Sequence, residues 1–258
     1  MKKLVWWFSI ALTAWLMQSC SVAHAPNQTP PGRVARQIVA ERVSAVVVTD
    51  RDSLAGWLDH KLESAGSPGD SDGGSATPIA PDGYFLTADH VLERVEGRHV
   101  FLIFGQGRRL TLTKARVVWR SESSDLALLH IPVKTPYFYH WTSPHDWLPA
   151  GSRIIHGGIA TGRSSGDGKL STQLAPEGVF TRTRKFKIDI PLQPGDSGGP
   201  VVDAQGHLVG INSAVEFLVP LETAFFIDSE GSRPNTGKID ALIQRDRARN
   251  AKSKEVAP

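Results

Sequence analysis

Apolar positions in this chain come in short runs broken by glycine, proline and polar clusters. Ser44 to Thr49 carries Val46, Val47 and Val48, and Tyr84 to Thr87 follows a Pro81-Asp82-Gly83 turn; Val100 to Phe104, Leu110 to Trp119 and Leu126 to Ile131 come next. The pattern resumes at Ser152 to His156, Leu170 to Leu174, Lys185 to Ile190, Leu208 to Ser213 and Ala224 to Ile227. Many short runs of this kind, with turn residues between them and little helical periodicity, predict an all-β barrel or sandwich. Helical spacing is confined to two places. Val34 to Val43 has helical character, and Thr236 to Arg247 sets Ile239, Leu242 and Ile243 on one face, which predicts a short closing helix. Ser64 to Ser75, rich in Gly, Ser and Asp, reads as a surface insertion, and the charged stretch Arg245 to Pro258 reads as a frayed tail. No internal repeat is visible.

The N-terminus follows a different pattern. Lys2 and Lys3 precede an apolar run from Leu4 to Met17, then small and polar residues. That is the layout of a secretory signal peptide, too short for a comfortable membrane span. Two cleavage readings compete. A cut after Ala23-His24-Ala25 would put Pro26 beside the scissile bond, which suits signal peptidase poorly. Leu16-Met17-Gln18-Ser19-Cys20 resembles the lipobox of bacterial lipoproteins, whose cysteine is lipidated, and is the preferred reading. The expected layout is a leader over 1–19 and a tether over 20–33, with residues 26 to 33 rich in proline and polar groups.

Composition narrows the choice further. At 40% hydrophobic and 21% charged, the chain has material for a core, and its formal charge is only +3. Loss of Lys2 and Lys3 with the leader brings it near neutrality, so neither nucleic acid nor an anionic membrane is called for; a lipid anchor is the one membrane contact expected. Cys20 is the single cysteine, which excludes an intramolecular disulfide and leaves the fold to its core. The histidines other than His90 show no metal-ligand spacing, and no metal or cofactor is expected.

The strongest motif is Gly195-Asp196-Ser197-Gly198-Gly199-Pro200. A serine hydroxyl is a poor nucleophile at neutral pH and needs a base within hydrogen-bond reach, together with donors aimed at the oxyanion that forms on attack. Glycines around Ser197 allow a tight turn in which the amides of Gly195 and Ser197 point inward together. Upstream, Thr87-Ala88-Asp89-His90-Val91 places a histidine at the end of one strand-like run, and Ser124-Asp125-Leu126-Ala127-Leu128-Leu129 places an aspartate at the start of another. The order His, Asp, Ser is that of chymotrypsin-type enzymes.

These motifs resemble those of trypsin-like serine proteases, and more closely those of the bacterial HtrA/Deg type. The segments carrying the likeness are Gly73-Gly74-Ser75 through Asp82-Gly83-Tyr84-Phe85-Leu86-Thr87, Asp125 to Leu129, Pro194 to Pro200, and Gly210-Ile211-Asn212-Ser213. The resemblance implies two six-stranded Greek-key β-barrels over 34–248, with a short C-terminal helix and a polar tail over 249–258. It implies an endopeptidase with Ser197 as nucleophile, His90 as general base and Asp125 orienting the imidazole. The Gly195 and Ser197 amides would form the oxyanion hole. Pro191, Asn212, Ser213 and Ala214 would line the substrate pocket, with small or medium apolar residues preferred and peptide or unfolded protein as substrate. A catalytically silent binding module is the alternative, and an esterase a third reading. A following PDZ module is not expected. Asp196 is expected to meet a local arginine or backbone donor rather than a freshly cut N-terminus near Arg36-Gln37-Ile38-Val39, and Asp89 to face solvent, with a raised histidine pKa as the alternative consequence of its position beside His90. The basic run Arg182, Arg184, Lys185 and Lys187 reads as a solvated strand face, with polyanion binding as the other possibility.

Overall fold

A computed structural model describes residues 25–42, 44–54, 71–106, 109–161, 166–178, 182–218 and 225–255. The leader and Cys20 lie outside the described residues. Six strands, β1 (Ser44–Thr49), β2 (Ser71–Pro78), β3 (Tyr84–Thr87), β4 (His99–Gln106), β5 (Arg109–Ser121) and β6 (Leu126–His130), close into a barrel in the order β1-β2-β3-β6-β5-β4. Every neighbour is antiparallel, and β4 returns to pair with β1. Six more, β7 (Arg153–His156), β8 (Gly166–Lys169), β9 (Arg184–Ile188), β10 (Pro200–Asp203), β11 (Leu208–Leu218) and β12 (Phe225–Arg233), form a sheet in the order β8-β7-β10-β11-β12-β9. This second sheet is a half-barrel. Its edges come together at an isolated bridge between Leu170 and Ile188, flanked by Ser171 N–H to Lys187 O at 2.7 Å and Asp189 N–H to Lys169 O at 3.1 Å. The architecture is that of a trypsin-like double barrel.

Apolar runs in the first barrel are buried on both faces. Along β6, Ala127 and Leu129 enter the barrel core with Val46, Phe85 and Leu102, while Leu126 and Leu128 face outward. The outer face is covered by α2 (Thr236–Glu255), which seats Ile239 and Ile243 against them together with Ile211 of β11. Strands buried on two sides need no polar alternation, which explains the unbroken Leu126-Ala127-Leu128-Leu129. Charged clamps hold this helix in place. Arg247 grips Asp82 through two bonds of 2.7 Å, and Arg116 grips Asp246 at 2.9 and 2.7 Å. The helix therefore runs on to Glu255, where a frayed tail was expected from Arg245. At the other end, α1 (Arg33–Glu41) lays Ala35 and Val39 on the outside of the second sheet, against Ile155, Val202 and Leu208. The stretch before it is hydrogen-bonded to the start of β7, with Arg153 N–H to Asn27 O at 2.9 Å.

Two expected elements differ, and strands β8 and β10 were not expected. Ser71 to Ser75 belongs to β2 rather than to a loop, because their pairing with Thr49 to Ala45 satisfies the backbone that a Gly/Ser/Asp composition leaves bare. Leu170 to Leu174 is no strand; Leu170 and Leu174 fill the second core from irregular backbone. Strand β10 begins at Pro200, a residue that argues against a strand interior but is tolerated at its first position.

Candidate active site

Register brings the first two residues together. In the β3–β6 ladder Thr87 lies opposite Ala127, so the end of β3 adjoins the start of β6. A 3₁₀ turn over Asp89–Leu92 follows β3, and another over Glu122–Ser124 precedes β6. His90 and Asp125 therefore meet. Asp125 takes a left-handed conformation (φ 47°), which suits Asp better than most side chains. Its carboxylate receives His90 Nδ1 at 2.9 and 3.0 Å and the His90 amide N–H at 3.0 Å. The Ser213 hydroxyl, reaching across from β11, donates to the other side of the same carboxylate.

Burial raises the Asp125 pKa, but the bonds from His90 and Ser213 outweigh it and hold the carboxyl well below its ordinary 3.8. An ionised carboxylate accepts only, so Nδ1 must carry the proton and the neutral ring leaves Nε2 as its acceptor. The bond to Asp125 also raises the His90 pKa above 6.5, against partial desolvation.

Ser197 sits on a turn between barrels. Asp196 N–H bonds Gln193 O at 2.9 Å, with Pro194 and Gly195 (φ 105°) at the central positions, the arrangement of a type II turn. Gly198 is held at φ 87°, and a Cβ there would lie 2.2 Å from Ser75 O. Strand β2 fastens the turn from the first barrel. Ser75 Oγ donates to Gly195 O at 2.6 Å, Ser75 N–H to Ser197 O at 2.8 Å, and Thr77 Oγ1 to Gly198 O at 2.9 Å. Among the described residues neither Gly195 N–H nor Ser197 N–H has a hydrogen-bond acceptor. The Ser197 hydroxyl donates to Ser213 O at 3.3 Å, and Ser197 and His90 border one cleft together with Gly195 and Val91.

Residues 74–211, just over half of the chain, match the family model described as a trypsin-like peptidase domain. The chain belongs to that family. Relatives of this trypsin-like peptidase include a "Probable periplasmic serine endoprotease DegP-like" of Chlamydia pneumoniae, 30% identical over 55% of the chain and 28% of that protein. A protein of the same description from Pseudomonas fluorescens is 27% identical over 66% of the chain and 38% of its own length. The chain thus spans well under half of these relatives. Among solved structures, the HtrA-type protease AlgW with a tripeptide shares the fold, with a TM-score of 0.55 and 24% identity over 81% of this chain and 62% of that one.

Several side chains of this family member stand elsewhere than their sequence context suggested. Asp89 does not face solvent: its side chain is 7% exposed and paired with Arg120, Nε to Oδ1 at 2.8 Å, because β5 passes beneath the 3₁₀ turn. Asp196, by contrast, is fully buried and meets backbone donors as expected, with no arginine beside it among the described residues. It accepts Thr161 N–H at 2.9 Å, Thr161 Oγ1 at 2.6 Å and Gln193 N–H at 3.1 Å. The Asn212 side chain is enclosed; its Nδ2 spans Gly157 O at 3.0 Å and Asp196 O at 3.3 Å and braces the turn. Ser213 is 2% exposed, and its hydroxyl serves Asp125. Pro191 is exposed, and Ala214 lies in β11 with its backbone paired to Glu230. Sequence reasoning missed Ser75, Thr161 and Arg120, whose partners are all distant along the chain.

Proposed function

We propose that this trypsin-like peptidase is a serine endopeptidase acting on peptide or unfolded protein in the bacterial envelope. The observation that carries the reading is the His90 Nδ1–Asp125 contact at 2.9 Å, with Ser197 on the same cleft and two amides beside it free to donate. Rotation of the Ser197 side chain away from Ser213 O brings its hydroxyl toward Nε2; looser geometry of this kind is usual before substrate binds. His90 then takes the hydroxyl proton as Oγ bonds to the scissile carbonyl carbon. The Gly195 and Ser197 amides receive the oxyanion. His90 returns the proton to the leaving amine as the C–N bond breaks, and water hydrolyses the resulting acyl-enzyme by the reverse route. No cofactor takes part. The leader, Cys20 as a lipid anchor, and relatives described as periplasmic support an envelope location. Pro191 and the backbone of Asn212, Ser213 and Ala214 border the specificity region, where small or medium apolar residues fit.

A second reading, a silent binding module on the same fold, draws on the Ser197 hydroxyl being engaged with Ser213 O at 3.3 Å. Degradation of reduced, unfolded casein separates the two. Wild type cleaves it into peptides and Ser197→Ala does not; retention of casein without cleavage by both proteins selects the binding module.

A further inference from the structure

Beside the Asp125 turn lies a second concavity of about 350 Å³, which shares no lining residue with the cleft of Ser197. It is walled by Ser123 and Ser124 from the first barrel, and by Arg182 and Lys185 at β9. Lys238 in the first turn of α2 closes it, with Trp119 beneath. No carboxylate borders it among the described residues, although the chain carries 26 Asp and Glu. Lys185 is partly satisfied, its Nζ lying 2.8 Å from Glu230 and 3.4 Å from Ser213 Oγ. Lys238 Nζ sits 5.2 Å from the centre of the Trp119 ring, which holds it over the cavity without neutralising it. Neither Lys238 nor Arg182 has a carboxylate partner among the described residues.

We infer that this concavity binds a phosphate-type oxyanion, as free phosphate or as the phosphate of a monoester or lipid headgroup. Arg182 and Lys238 face this space with no carboxylate partner among the described residues, Lys185 with only Glu230, and an anion in their midst offsets the repulsion between them. The donors are many and spread around the walls: ammonium, guanidinium and hydroxyl groups. A tetrahedral oxyanion with three or four acceptor oxygens satisfies more of them than a planar carboxylate can. The size is at the small end for ligand sites, which suits a headgroup rather than a polymer. The basic run around Lys185 is therefore more than a solvated strand face. The site adjoins the His90–Asp125 pair, since Lys185 reaches the Ser213 hydroxyl that bonds Asp125, but its detection needs no catalytic competence.

Isothermal titration of the full chain with inorganic phosphate, at neutral pH and fixed ionic strength, tests the assignment. One saturable site is expected, with acetate binding more weakly and Lys238→Glu or Arg182→Glu each weakening phosphate about tenfold or more. Both side chains are exposed, so the variants should fold, and unchanged thermal unfolding checks this. Lys134→Glu, with the same change of net charge outside the cleft, should leave binding intact. Glycerol phosphate and vesicles containing phosphatidic acid then separate a soluble ligand from a headgroup. Absence of saturable binding to folded protein, or equal losses in Lys134→Glu and Lys238→Glu, would overturn the assignment.

Discussion

The two halves of the candidate active site are held by different physics. On the first barrel, His90 and Asp125 are joined by charge-assisted bonds of 2.9 to 3.0 Å, set by the register of two neighbouring strands. Apart from the Ser213 hydroxyl, everything that fixes this pair lies within one barrel. The Ser197 turn is held instead by neutral bonds crossing from the first barrel to the second, from Ser75 and Thr77, and by the buried carboxylate of Asp196 beneath it. Charge builds the proton-handling half locally, and the seam between barrels builds the nucleophile half. Damage to one should leave the other readable.

The largest effect is expected at Asp125→Asn. An amide can neither hold the imidazole tautomer nor stabilise its charged form, and hydrolysis should fall about 10⁴-fold. The His90 titration moves down with it, since the bond to Asp125 is what raises it above 6.5. The sign for stability follows from the two shifts. A raised His90 pKa contributes stability that is present below 6.5 and fades as pH rises through the folded value. A depressed Asp125 pKa contributes stability present above 3.8 and lost as pH falls through the folded value. The unfolding difference between wild type and variant should therefore peak between those two pH values, while activity, which needs neutral His90, rises above them. Chemical denaturation across pH and NMR of the His90 ring check both.

Asp196→Ala comes next. It orphans three donors, the Thr161 amide and hydroxyl and the Gln193 amide, in a fully buried position. Stability should drop by about 3 kcal/mol, and labelling by an active-site fluorophosphonate should slow about a hundredfold as the amides lose their aim. His90 should titrate as in wild type. The smallest effect belongs to Ser75→Ala, which removes one hydroxyl that accepts from Ile159 N–H at 2.9 Å and donates to Gly195 O at 2.6 Å. A loss of about 1 kcal/mol and labelling slowed about tenfold are expected, again with the His90 titration unmoved. A shifted His90 titration in Ser75→Ala would merge the two halves and end the comparison.

The same division explains what could be read before any coordinates. His90, Asp125 and Ser197 stand in glycine-marked or strand-edge contexts, so local residue types announce them. Most barrel strands were legible as apolar runs, though not β2, β8 or β10, and α2 was legible from Ile239, Leu242 and Ile243. What escaped was pairwise. Asp89 resembles any solvated aspartate until β5 brings Arg120 beneath it, and Ser213 resembles a pocket residue until β11 turns its hydroxyl to Asp125. Ser71 to Ser75 has the composition of a loop, yet pairing with β1 makes it a strand and the clamp on the nucleophile turn. Side chains whose meaning lies in a partner many residues away carry no local mark.

The central claim is that Ser197 is a nucleophile activated by His90. Mass-spectrometric mapping of a fluorophosphonate adduct tests it directly. A single adduct on Ser197 is expected in wild type, lost in His90→Ala while that variant stays folded. An adduct on another residue, or undiminished labelling of Ser197 in His90→Ala, would contradict it.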